Sequence, residues 1–160
     1  MIPAFCDWLS NTSVSMVIQN VLWIIPVVQT VHILAIATVM ASVLMVDFRL
    51  LGVAPHGQSI AETAHRFLPW VWGAVAVLFT SGSLLIIAEP GRDLLNEVFY
   101  LKMSLLACVL VITFAFQVFV RRGEFWERRR AIARVTAVVS LTLWVGIVIC
   151  GRWIAYAPHG

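Results

Sequence analysis

The chain has 160 residues, of which 61% are hydrophobic and only 12% charged, and its mean hydropathy is +0.95. So few charges cannot clothe a soluble domain of this size, which leaves an integral membrane protein whose first partner is the lipid bilayer. A net charge of +3 does not point to nucleic acid, because the arginines gather at the edges of the apolar runs. Three cysteines, Cys6, Cys108 and Cys150, lie far apart with no CxxC spacing and indicate neither a disulfide framework nor a zinc site.

In chain order, the first fifteen residues set Phe5, Trp8 and Leu9 among Asp7, Ser10 and Asn11. They lack a basic n-region, so they read as an interfacial turn or short helix rather than a signal peptide. Four apolar runs follow, at about 17–46, 67–88, 94–120 and 131–156, each long enough for a span of about 20 residues. Pro26 is a candidate kink in the first span. Glu89-Pro90-Gly91 stops the second, and Arg121-Arg122-Gly123 ends the third. Short connections make sequential helices antiparallel neighbours. The expected fold is therefore all-α, an up-down-up-down four-helix membrane bundle forming one domain over 1–160.

The basic residues orient it. Arg49, Arg66, Arg121, Arg122, Arg128, Arg129, Arg130 and Arg134 share one side, and Arg92 alone lies in the loop opposite. The positive-inside rule then predicts a multi-pass protein of the bacterial inner membrane with both termini periplasmic.

Three groups that hydrocarbon disfavours sit inside these runs: His32, Lys102 and Arg152. At 1.5 Å per residue, counted from inner edges at Val46, Phe67, Val120 and Val135, they lie roughly 21, 27 and 25 Å along their helices. Gln29, Thr80, Ser81, Ser83, Met103 and Cys150 fall in the same band. An ionisable group in a span marks a site by default, so this outer layer is the candidate site, and no reaction or catalytic residue follows from it. Its charge balance, two cations and a histidine with only Glu89 at the rim, predicts a pocket for an anionic group or an electron-rich oxygen. The alternative is that Lys102 and Arg152 snorkel to the headgroups, with Glu89 as an ion-pair partner for either.

Two axial histidines of one haem need similar depth, and His65 is more than about 20 Å from His32 by the same count. His56 and His159 lie in a loop and at the terminus. This excludes a bis-histidine pair and leaves a single haem on His32, alone or with Met103 or Lys102 opposite. Met40, Met45, Met103, Cys108 and Cys150 are soft copper ligands, scattered without an MxxxM or CxxxC repeat. Trp144 is deep enough to pack on a cofactor or simply fill the core. Asp47 at the inner rim is expected to form an ion pair with Arg66 or Arg134.

The stretch Thr30-Val31-His32-Ile33-Leu34, then Asp47-Phe48-Arg49-Leu50-Leu51-Gly52, Leu68-Pro69-Trp70, Gly82, Phe99-x-x-Lys102 and Gly151-Arg152 resembles a family of small bacterial four-span membrane proteins of unknown function. More loosely, the architecture is similar to the membrane domain of copper-resistance proteins and to small b-type cytochromes, whose histidine set this chain lacks. The resemblance implies that His32, Asp47, Arg49, Lys102 and Arg152 occupy motif positions.

The leading expectation is a membrane electron-transfer protein holding one b-type haem or a quinone. Gln29, His32, Lys102, Trp144 and Arg152 would form the cofactor site, and His32 with Met103 would be the metal ligands. The alternatives are a small transporter or copper-handling permease using the same layer, and an accessory subunit of a larger membrane complex or homo-oligomer.

Overall fold

The computed structural model describes residues 2–53, 59–120, 126 and 129–156. His56, His159, Arg121, Arg122 and Arg128 lie outside the described residues. The chain forms α1 (Ile2–Ser10), α2 (Ser13–Asn20), α3 (Ile24–Leu51), α4 (Ile60–Ala88), α5 (Pro90–Leu94), α6 (Glu97–Val120) and α7 (Arg130–Tyr156), with no strand among the described residues. α3, α4, α6 and α7 are each long and apolar enough to cross a membrane, so the protein is an all-α, multi-pass membrane bundle.

The helix ends explain why several boundaries differ from those expected. The first span begins at Ile24 because 13–20 folds as the separate helix α2, capped by Thr12, whose side chain accepts from the Ser15 amide. Pro26 therefore sits in the first turn of α3, where a missing amide costs little, and not at a kink. α4 begins at Ile60, well before its apolar run, because Ser59 and Glu62 close a reciprocal capping box. α3 ends at Gly52, whose φ of 80° suits glycine. Its amide bonds Arg49 O and the Val53 amide bonds Phe48 O, the two bonds of a Schellman cap.

Around the ring, α3 packs on α4 and on α7, α7 packs on α6, and α6 returns to α4 in the loosest of the four contacts. Residues near the start of α3 (His32) meet residues near the end of α4 (Ser81, Gly82), and Lys102 near the start of α6 meets Gly151 near the end of α7. Both pairs are thus antiparallel. Trp72 donates to Gln117 Oε1 at 2.8 Å, bridging α4 and α6 below the level of His32.

Two apolar clusters fill the bundle. The central one holds Val39, Val43, Val71, Ala74, Val109, Trp144 and Ile147, with Val39 and Val109 completely buried. The inner one gathers Val46, Leu50, Leu68, Phe116, Val120 and Trp126 with Ala64, Ala133 and Ala137. Trp126 is buried against Phe116, ring centroids 5.0 Å apart. Trp8, Trp23, Trp70 and Trp153 are exposed, as residues of an aromatic belt would be.

The N-terminal helices close the end of the bundle where α4 stops. Pro90 stops α4, which leaves its last carbonyls without intrahelical partners. Ser15 donates to Ile87 O at 2.7 Å and Gln19 to Ala88 O at 2.8 Å, while Gln19 also donates to the Ser15 hydroxyl. Ser15 is fully buried. Replacing it with alanine removes two hydrogen bonds from a buried helix end, each worth about 1 kcal/mol. Ser15→Ala should lower the thermal midpoint in detergent, followed by circular dichroism, by about 2–4 °C for each kcal/mol lost. An unchanged midpoint would show that the cap is dispensable.

Candidate functional site: a histidine and lysine layer under the outer cap

His32 comes from the third turn of α3 and is half-buried. Its Nδ1 lies 2.8 Å from Ser81 Oγ, and Ser81 is itself buried. The Ser81 hydroxyl has one proton, and Val77 O lies 2.6 Å away to take it, as serine hydroxyls in helices commonly bond back to the carbonyl four residues earlier. Ser81 Oγ therefore accepts from His32 Nδ1–H. In the neutral ring this leaves the lone pair on Nε2, which makes that nitrogen the acceptor. Gly82 allows the close approach: a Cβ there would stand 3.5 Å from His32 Cε1, so a side chain larger than alanine's would press on the ring.

Lys102, in the second turn of α6, is also half-buried. A Cβ on Gly151 would lie 3.7 Å from its Nζ, which puts the ammonium over the backbone of α7. Lys102 interacts electrostatically with His32, with Asp93 of α5 and with Cys150 of α7. The five-residue α5 begins with Pro90 at its first position and turns the chain back over the bundle, which brings Asp93 within electrostatic reach of Lys102. Burial pushes the Asp93 carboxyl above the ordinary carboxylate range; Arg92 and Lys102 pull it down, and Glu89 adds to the rise.

The residues of similar depth fall into two local contacts, one at His32 and one at Lys102. His32 packs with Ser81 and Gly82, Lys102 lies against Gly151, and Lys102 acts electrostatically on His32 and Cys150. Arg152 does not join them. It is exposed, donates to the Tyr156 hydroxyl at 2.8 Å and lies over that ring at 4.9 Å, an amphipathic pair at the membrane edge. Glu89 is engaged by Arg92 at 2.6 Å and pairs with neither Lys102 nor Arg152. Gln29 is half-buried one turn before His32. Trp144 is buried in the central cluster below the layer, and its indole N–H has no partner. Met103 is 40% exposed on the outer face of α6, whereas the neighbouring Lys102 points in. Cys108 is exposed and Cys150 buried. Among the described residues no group of three or more His, Cys, Asp or Glu side chains could hold a metal ion.

Asp93 was missed as a member because the stop after α4 reads as a loop. The signal was present: a proline followed three residues on by an acid is how a new helix begins.

The fold and site define a helical multi-pass membrane protein with a half-buried imidazole and a half-buried ammonium beneath its N-terminal cap. A profile described as a family of unknown function (DUF6644) matches residues 5–157, and the chain belongs to that family. The comparisons found no match among curated proteins and none among solved structures.

Lys102 and Asp93 should behave as one unit. Lys102→Met strands the partly buried Asp93 charge and should lower stability by about 1–2 kcal/mol, and the same change made in an Asp93→Asn background should cost clearly less. A strictly additive cycle by thermal unfolding would deny the pairing. Asp93 also carries a pH signature. Its raised pKa means that the folded chain holds this proton more tightly than the unfolded chain, so its stabilising effect is present at low pH and lost as pH rises through the raised value. The thermal midpoint of the wild type should fall over that range, and Asp93→Asn should remove the fall; an identical profile in the variant would place the titration elsewhere.

Proposed function

We propose that the protein is a membrane electron-transfer component that binds a quinol at the His32–Lys102 layer. The observation that carries this reading is the acceptor at His32, whose Nε2 lone pair is left open by the Ser81 bond, next to the ammonium of Lys102. These are the two functions a quinone headgroup needs: an acceptor for the hydroxyl of its reduced form, and a donor to the carbonyl of its oxidised form. A quinone supplies two-electron, two-proton redox chemistry dissolved in the bilayer. On oxidation of the quinol His32 would take one hydroxyl proton and water at the membrane edge the other, Lys102 would hold the oxygen through the change in charge, and Asp93 would balance the lysine. The electrons pass to a partner redox protein, so the chain works within a larger membrane complex.

Access favours a lipid-borne ligand over an internal haem. His32 is half-buried and flanked by the exposed Val31 and Ile33, and Lys102 is flanked by the exposed Leu101 and Met103. The His32 ring packs on the α4 backbone at Gly82, which leaves no slot for a porphyrin plane on that side. Met103 is exposed, which does not favour it as a second axial ligand in a closed haem pocket. The arginines at the Arg49, Arg66, Arg130 and Arg134 end support an inner-membrane orientation in which the His32 layer and both termini face the periplasm.

Protein purified in mild detergent should release close to one quinone per chain on solvent extraction, seen as an oxidised-minus-reduced ultraviolet difference. Lys102→Met and His32→Ala should lower that content at least fivefold, while Arg152→Gln should leave it unchanged. A Soret band in the purified protein would replace this reading with haem, and equal quinone content in all variants would mean carry-over with lipid.

A further inference from the structure

A second polar site lies at the other end of the bundle, roughly 22 Å along α3 from His32. Asp47 is only 3% exposed, although it stands just one turn from the end of its helix. It does not meet the arginines expected for it. Arg66 is exposed and lies over the Phe67 ring, and Arg134 is exposed. Asp47 instead has the Ser140 hydroxyl of α7 within hydrogen-bonding reach, and its Oδ2 is buried without a partner. A carboxylate out of water with one bond and no opposite charge is costly.

That carboxylate lines a cavity bounded by all four spans, whose hydroxyls come from Ser140 and Thr136 of α7 and Thr113 of α6. The cavity gives about 30 Å³ to water-sized occupants, room for one or two small particles. Thr113 donates its proton to Val109 O at 2.8 Å, so its lone pairs stay free to coordinate. Three hydroxyls and an open carboxylate oxygen are a hard, all-oxygen donor set of net charge minus one. The other lining side chains, such as Val43, Leu68 and Phe116, are apolar, and no lysine, arginine or histidine lines the space among the described residues.

From this geometry we propose that the Asp47 cavity binds one small monovalent cation, a sodium ion with a single water. The ion supplies the charge that Asp47 lacks, and Ser140, Thr136, Thr113 and the water complete an oxygen shell. Charge selects a monovalent ion, because a divalent one would leave an uncompensated positive charge in hydrocarbon. The site is separate from the His32 layer: the dry cluster of Val39, Val71 and Val109 stands between them.

The test uses the full chain in detergent at mildly alkaline pH. Binding of radioactive sodium by scintillation proximity should saturate at one ion per chain, and unlabelled sodium should displace it while equal choline does not. The thermal midpoint should rise with the logarithm of sodium concentration. Asp47→Asn should abolish both effects. Should Asp47→Asn fail to fold, the paired change Ser140→Ala and Thr113→Val, which leaves the carboxylate in place, should weaken sodium binding at least tenfold. Absence of saturable binding in the wild type, or binding that survives in these variants, would overturn the proposal and leave Asp47 balanced by a proton alone.

Discussion

The ammonium of Lys102 cannot rest in hydrocarbon, and the outer half of the bundle is arranged around that constraint. A charged side chain in a span needs an opposite charge, a polar cavity or a path to the headgroups. Here the chain turns over at Pro90 and brings Asp93 within electrostatic reach of it, while Gly151 opens the surface of α7 beneath the nitrogen. The N-terminal helices then cover the turn, and Ser15 and Gln19 occupy the carbonyls that Pro90 leaves open. The cap, the turn and the site are one construction.

His32 belongs to the same construction from the other side. Ser81 decides which imidazole nitrogen carries the proton, because its own proton is already committed to Val77. The result is an acceptor and a cation held close on rigid helices rather than on loops. Rigid support of this kind is what a binding site needs if donor and acceptor are to be in place before the ligand arrives.

Much of this was legible in the sequence, for identifiable reasons. Four apolar runs separated by arginine-rich or Glu-Pro-Gly breaks specify four spans, and the constant rise of the helix turns residue number into depth. That is why His32, Ser81, Lys102 and Cys150 could be placed in one layer. Depth says nothing of direction around the helix, however. Arg152 shares the depth of Lys102 but turns outward to Tyr156, four residues on. Asp47 points inward to Ser140 while Arg66 and Arg134 point outward, so the expected ion pair does not form. Nor does hydropathy reveal short polar helices: α2, the first turns of α4 and the fold-back of α5 depend on Thr12, on the Ser59–Glu62 box and on Pro90.

The central claim is that His32 presents an open Nε2 lone pair to a quinol. Nitrogen-15 spectra of histidine-labelled protein in lipid nanodiscs, recorded as a short-chain quinol is added, test it most directly. The account predicts that the His32 Nε2 resonance starts in the unprotonated range and moves on titration, while Nδ1 stays protonated and bonded to Ser81. An Nε2 that is protonated from the outset, or a signal that stays fixed while the quinol dissolves in the lipid, would contradict it.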